Sequence, residues 1–140
     1  MKLTPKTIQI YLPGGDPRGI RIAEVTTRIV QVIEVPRSLL GEFLKMPESG
    51  QVALYFLFGQ TPESDESVYI GQTGDVAARL TDHNRKKEFW GKVLIVISRT
   101  NSLTQTHAVY LEWLSIKTSR ETNRYPSDTR RHSSVGYRPN

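Results

Sequence analysis

Val68-Tyr69-Ile70-Gly71-Gln72-Thr73-Gly74-Asp75-Val76-Ala77-Ala78-Arg79-Leu80 is the stretch on which the fold turns. Its first four residues read as a short apolar strand ended by glycine. Asp75 can then accept backbone N–H bonds as the N-cap of a helix that begins at Val76 and fades near the basic cluster Asn84-Arg85-Lys86-Lys87. Just upstream, Val52-Ala53-Leu54-Tyr55-Phe56-Leu57-Phe58 is a continuous apolar run rich in aromatic residues, which predicts a central buried strand. A polar loop over residues 59–67 would join the two as a hairpin. Downstream, Val93-Leu94-Ile95-Val96-Ile97 predicts a further buried strand over residues 92–98. Ser102 with Gln105 three residues on resembles a capping box, opening a helix that runs to about Asn123. The order strand, strand, helix, strand, helix predicts an α+β fold with a small antiparallel sheet flanked by helices.

Residues 1–50 predict a β-rich extension packed on that core. Apolar and polar residues alternate over 7–12 and again over 20–25, with Pro13-Gly14-Gly15-Asp16-Pro17 between them as a hairpin turn. Gly14-Gly15-Asp16 lacks the lysine and helix of a phosphate loop. A third strand is expected over 29–35, and Pro36 leads into a helix through Leu39, Leu40, Phe43 and Leu44 that stops at Pro47. The core is expected over 51–125, and 126–140 has no periodicity and reads as an irregular basic tail.

The 140 residues suit one domain and one functional centre. Hydrophobic residues make up 37% and charged residues 24%, no apolar run is long enough to span a bilayer, and no secretory leader pattern follows the first lysines. Cysteine is absent, which removes disulfides, thiolate metal sites and a cysteine nucleophile and makes a cytoplasmic location the default expectation. The net charge of +5 suggests a polyanionic partner. Most of the excess is late in the chain: residues 1–116 carry 13 Lys/Arg against 12 Asp/Glu, and residues 117–140 carry six against two. A second basic cluster comprises Arg79, Arg85, Lys86, Lys87 and Lys92.

The motif spacing is more specific than the charge. Tyr69-Ile70-Gly71 is followed by Thr73, by Arg79 eight positions after the glycine, and by His83 four further on. This pattern resembles the GIY-YIG nuclease family. Ala53-Leu54-Tyr55 would stand for the first family motif, with alanine in place of its glycine, Glu112 for the later acidic ligand, and Asn123 for the trailing asparagine. The resemblance covers roughly residues 52–123 and leaves the N-terminal 50 residues outside it. It implies a magnesium- or manganese-dependent DNA endonuclease in which Tyr55 or Tyr69 helps activate water, Arg79 meets the phosphate and Glu112 holds the metal. Gly71, Thr73, Arg85, Lys86, Lys87 and Asn123 would line the substrate side. Two rival readings are a nucleic-acid-binding module with the same fold but no turnover, and a protein-interaction or oligomerisation unit. Whether DNA or RNA is the partner, and whether a homodimer or a targeting partner is involved, is left open.

The chemistry of the residues agrees. Phosphodiester hydrolysis needs a water-activating group, a cation for the phosphate, and help for the departing oxygen. A free phenol has a pKa of about 10, so a tyrosine acting as base needs a nearby cation to lower it. Arg79 could supply that field and a planar fork of donors. Glu112 is the sole charged residue over 100–116, among Ala108, Val109, Leu111, Trp113, Leu114 and Ile116. A carboxylate buried there needs a metal, a cation such as Arg79, or a proton. Magnesium suits one carboxylate because it keeps most of its hydration shell. His83 lies one helical turn from Arg79, either beside the phosphate or simply on the surface. His107 is expected to be partly buried, Asn123 to cap the helix or brace the site, and Trp90 and Trp113 to pack rather than stack on bases. The three histidines show no zinc spacing.

Overall fold

Strand β4 (Ala53–Thr61) lies between β5 (Ser64–Thr73) and β6 (Trp90–Ser98) and pairs antiparallel with both. A strand flanked on both edges and covered on both faces must be apolar throughout, which is why 52–58 shows no alternation. The computed structural model describes residues 5–25, 29–98, 100 and 103–122. Three further strands, β1 (Ile8–Tyr11), β2 (Arg21–Val25) and β3 (Val30–Pro36), continue the same sheet because β3 pairs antiparallel with β6. The result is a six-stranded sheet in the order β1-β2-β3-β6-β4-β5, and every neighbouring pair is antiparallel. The N-terminal extension is thus edge-joined to the core strands by backbone hydrogen bonds.

Register separates the two faces. Tyr55 lies opposite Ile95, Ile95 opposite Ile33, and Ile33 opposite Ile22, so these share one face. That face carries the main core, covered by Leu40 and Phe43 of the short helix α1 (Leu40–Phe43) and by Val76 and Leu80 of α2 (Val76–Lys86). The other face presents Leu54, Val68 and Ile70, against which Leu111 and Ile116 of α3 (Gln105–Thr122) pack. Two-sided coverage gives the mixed α+β class. Among the described residues, no helix is long and apolar enough to cross a membrane.

Local chemistry accounts for most boundaries. Asp75 caps α2, its carboxylate accepting from the Ala78 N–H at 3.3 Å. Val76, Leu80 and His83 are the buried positions of α2, spaced four and then three residues apart as one helical face requires. The segment after Pro36 is a 3-10 turn (Arg37–Leu39) running into α1, and Pro47 opens a second 3-10 turn (Pro47–Gly50).

The structure departs from the sequence expectation at three places. The polar residues after Gly59 are mostly strand, since β4 continues to Thr61 and β5 starts at Ser64, leaving a tight turn at Pro62-Glu63. Backbone pairing can run past the end of the apolar core, so polarity did not mark the strand ends. Thr104, rather than Ser102, is the residue seen to cap α3: its hydroxyl accepts from the His107 N–H at 3.2 Å, while Ser102 lies outside the described residues. His107 is exposed in the first turn of α3, not partly buried. Asn123 and the basic tail from 126 onward also lie outside the described residues.

At Gly59, β4 runs close against the chain entering β6. A Cβ there would fall onto the backbone of Phe89 and Trp90, and the β4–β6 register shifts at this point. Gly59→Ala is expected to lower the unfolding free energy by about 1–3 kcal/mol, the usual cost of overpacking. Urea titration checks it: the midpoint should drop with the slope unchanged, and an unmoved midpoint would contradict the close approach.

Candidate active site

The register that pairs Tyr55 with Gly71 creates the site. A side chain directly opposite a glycine has room to lie across the neighbouring strand. The Tyr55 ring does so: a Cβ built on Gly71 would stand 2.5 Å from the ring carbon that bears the hydroxyl. The ring therefore crosses β5 and delivers its hydroxyl to α2, where it lies 2.7 Å from His83 Nε2. Tyr69, on the same face of β5, completes a cluster of three rings. Its centroid is 6.3 Å from that of Tyr55 and 5.1 Å from that of His83. Tyr55, Tyr69 and His83 are 1%, 4% and 5% exposed.

The Tyr55 hydroxyl also takes part in a side-chain hydrogen bond with Tyr69. One hydrogen and two lone pairs let it donate to one neighbour and accept from the other, and the tautomer of His83 decides which. Burial is the main reason that the Tyr55 phenol is pushed far above its ordinary range; the charges of Tyr69 and Glu112 and the Tyr69 hydrogen bond act the same way, while Arg79 opposes them. The charge of Arg79 favours loss of the proton, but it does not outweigh desolvation. Tyr55 is a neutral hydroxyl held in a hydrogen-bonded chain.

Arg79 and Glu112 belong to the same electrostatic neighbourhood, since both act on Tyr55. Arg79 is half-buried, one turn before His83 on α2, and forms no salt bridge with any described residue. Glu112 is 5% exposed, so its carboxylate faces the interior rather than bulk solvent. No group of three or more His, Asp or Glu side chains converges among the described residues. If a divalent ion bound there, Glu112 would be the carboxylate to hold it, and the rest of its shell would have to come from outside this set of side chains.

The remaining sequence-derived positions separate into two groups. Lys87 is half-buried, its ammonium 4.3 Å from the Tyr69 ring centroid, and so joins the cluster. Arg85 and Lys86 instead point to solvent, both paired with Asp82, at 3.5 and 3.2 Å. Thr73 is buried in the link between β5 and α2, where its hydroxyl accepts from the Asp75 N–H and donates to the Asp75 carbonyl, each at 3.0 Å. It shapes the turn that presents α2. Trp90 is buried as expected, and its indole N–H points to the His83 carbonyl at 3.4 Å. Trp113 packs beside Tyr110, with ring centroids 6.0 Å apart.

Sequence reasoning missed two residues. Gln72, buried at 8% exposure on the α3 face, follows the motif glycine and carried no signal of its own. Arg37, far upstream, bonds to the end of α2; only its place just after Pro36 hinted at a turn. Comparison with protein-family models, with curated proteins and with solved structures finds no match. The geometry of the cluster is therefore what a functional reading has to stand on.

Two outcomes test this geometry. Gly71→Ala should push the Tyr55 ring off β5 and break its bond to His83, seen as a changed near-ultraviolet tyrosine dichroism and a loss of about 1–3 kcal/mol of stability; unchanged dichroism would contradict the packing. The second concerns alkaline pH. The folded chain holds the Tyr55 proton more tightly than the unfolded chain, where the phenol titrates near pH 10. The contribution is fully present below about pH 10 and is lost as pH rises toward the higher folded value, because the unfolded state releases its proton first. The stability gap between wild type and Tyr55→Phe should be constant at neutral pH and shrink above about pH 10. A gap that stays constant in alkali would refute the assignment.

Proposed function

We propose that this chain is a metal-dependent endonuclease that hydrolyses DNA phosphodiester bonds at the Tyr55–Tyr69–His83 cluster. What supports the reading is that two phenols and an imidazole from β4, β5 and α2 meet in one buried cluster, with the Arg79 guanidinium and the buried Glu112 carboxylate near enough for their charges to act on Tyr55. These are the groups that the motif resemblance to GIY-YIG nucleases picks out, with His83 drawn fully into the cluster.

Because Tyr55 is neutral, it serves as a proton relay rather than as a standing phenolate. It takes a proton from the attacking water while passing its own to His83 Nε2, which accepts when the imidazole carries its hydrogen on Nδ1. The water oxygen bonds to phosphorus, the opposite P–O bond breaks, and solvent protonates the departing oxygen. Arg79, half-buried and without a carboxylate partner among the described residues, would meet the non-bridging oxygens with its fork of donors. Glu112 would hold magnesium or manganese, which when bound supplies positive charge near the departing oxygen. Lys87, over the Tyr69 ring, adds cationic character beside the phenols.

A second reading has one observation in its favour. Tyr55, Tyr69, His83 and Glu112 are each at least nine-tenths buried, which also suits a polar cluster that braces a non-hydrolytic nucleic-acid-binding module. Plasmid nicking in magnesium or manganese separates the two. Arg79→Ala and Glu112→Gln should each lower the nicking rate by roughly 10²–10³-fold, as loss of a transition-state charge partner does, with DNA affinity that weakens steeply as salt rises. Equal background cutting by wild type and both variants, with DNA affinity retained, would transfer the assignment to the binding module.

A further inference from the structure

Arg37 reaches out of the N-terminal segment and uses every nitrogen of its guanidinium on the end of α2, the link after it and the first residue of β6. Nε donates to Asn84 Oδ1 at 2.9 Å and Nη2 to the Asn84 carbonyl at 2.9 Å. Nη1 donates to the carbonyls of Glu88 and Trp90 at 3.2 and 3.0 Å. The same group lies over the Trp90 ring, 4.5 Å from its centroid. Its acceptors are the side chain and carbonyl of Asn84 in the last turn of α2, where helix ends leave C=O groups without partners and a cation is favoured, and the carbonyls of Glu88 in the link and Trp90 at the start of β6.

His83 sits inside this arrangement. Its carbonyl accepts from the Lys87 N–H at 2.9 Å and from the Trp90 indole at 3.4 Å, and Asn84, the next residue, takes two bonds from Arg37. Arg37 itself is anchored, because it follows Pro36, which is in register with Lys92 of β6. The chain of contacts runs from the β3–β6 ladder through Arg37 to the last turn of α2, and from there through the His83 ring to the Tyr55 hydroxyl.

We propose that Arg37 is the positioning residue of the Tyr55–His83 pair, and that the first 50 residues complete the site instead of serving as a separate attachment. Without the guanidinium, the last turn of α2 loses its grip on the α2–β6 link, and the imidazole drifts from the phenol. Lysine cannot substitute, since a single ammonium can neither span four acceptors on two segments nor stack flat on the indole. Only the kinetic consequence rests on the proposed hydrolysis; the geometric one does not.

The test uses the full chain in a Trp113→Phe background, so that emission reports Trp90, with Arg37→Lys and Arg37→Gln compared against Arg21→Ala. Arg21 pairs with Glu34 in the N-terminal strands, away from α2, so it controls for a general loss of N-terminal contacts. Both Arg37 variants should shift Trp90 emission and the ring nitrogen signals of His83 in NMR spectra. In plasmid nicking they should lower kcat on the order of tenfold or more, as misplacement of a reacting group does, with KM little changed. Arg21→Ala should leave all three readouts in place. Wild-type His83 and Trp90 signals in both Arg37 variants would overturn the proposal, as would equal shifts in Arg21→Ala. If the glutamine variant does not fold, the lysine variant carries the comparison. Should the wild-type chain cut no DNA, the nuclease reading fails, while the His83 and Trp90 signals still decide the role of Arg37.

Discussion

The hydrogen bond between the Tyr55 hydroxyl and His83 Nε2 ties a strand to a helix through a buried polar contact, and much of the local structure exists to make that contact possible. A phenol and an imidazole both lose solvation on burial, so each needs a polar partner at close range. Gly71 leaves the space through which the ring passes. Val76 and Leu80 seat α2 on the sheet at the height where His83 meets the hydroxyl. Thr73 and Asp75 close the intervening turn so that the helix starts in the right place.

Low polarity around the cluster has opposite effects on its members. It holds the Tyr55 proton in place, since a phenolate would be poorly solvated and would face Tyr69 and Glu112. It also strengthens the field that Arg79 exerts on the same group. A phenol bonded to an imidazole in such surroundings keeps its proton and is poorly suited to storing a negative charge. That balance follows from burial more than from any one neighbour.

The two halves of the chain are interdependent through the sheet. β3 supplies the outer edge partner for β6 and at the same time launches Arg37 toward the end of α2. The strands that motif spacing leaves unexplained thus share the β6 ladder and the α2 terminus with the strands that carry the cluster. In contrast, Arg85 and Lys86 spend their charge locally on Asp82 at the solvent face. Proximity in sequence to His83 does not bring a side chain into the cluster, because successive helical residues point in different directions.

Local physics was enough to read much of this from the chain. The apolar run before Gly59, the Asp75 cap and the isolation of Glu112 are short-range patterns, and each followed from local propensity or from the cost of burying a charge, whereas the burial of His83 on the face of Val76 and Leu80 came only with the fold. The strand ends near Thr61 and Ser64 were not legible, because backbone pairing continues where side chains have ceased to be apolar. Nor was the net state of Tyr55, since a nearby arginine and deep burial pull its proton affinity in opposite directions and only packing sets their relative size. The partner of Arg37 was beyond reach for a simpler reason: its acceptors lie about fifty positions away, and a sequence without a folded ladder between β3 and β6 contains nothing that brings them together. The amino-acid order by itself determined most of the elements, the Asp75 cap and the candidate residues; the three-dimensional fold alone decided which of those residues touch, because contact depends on register and burial across elements distant in the chain.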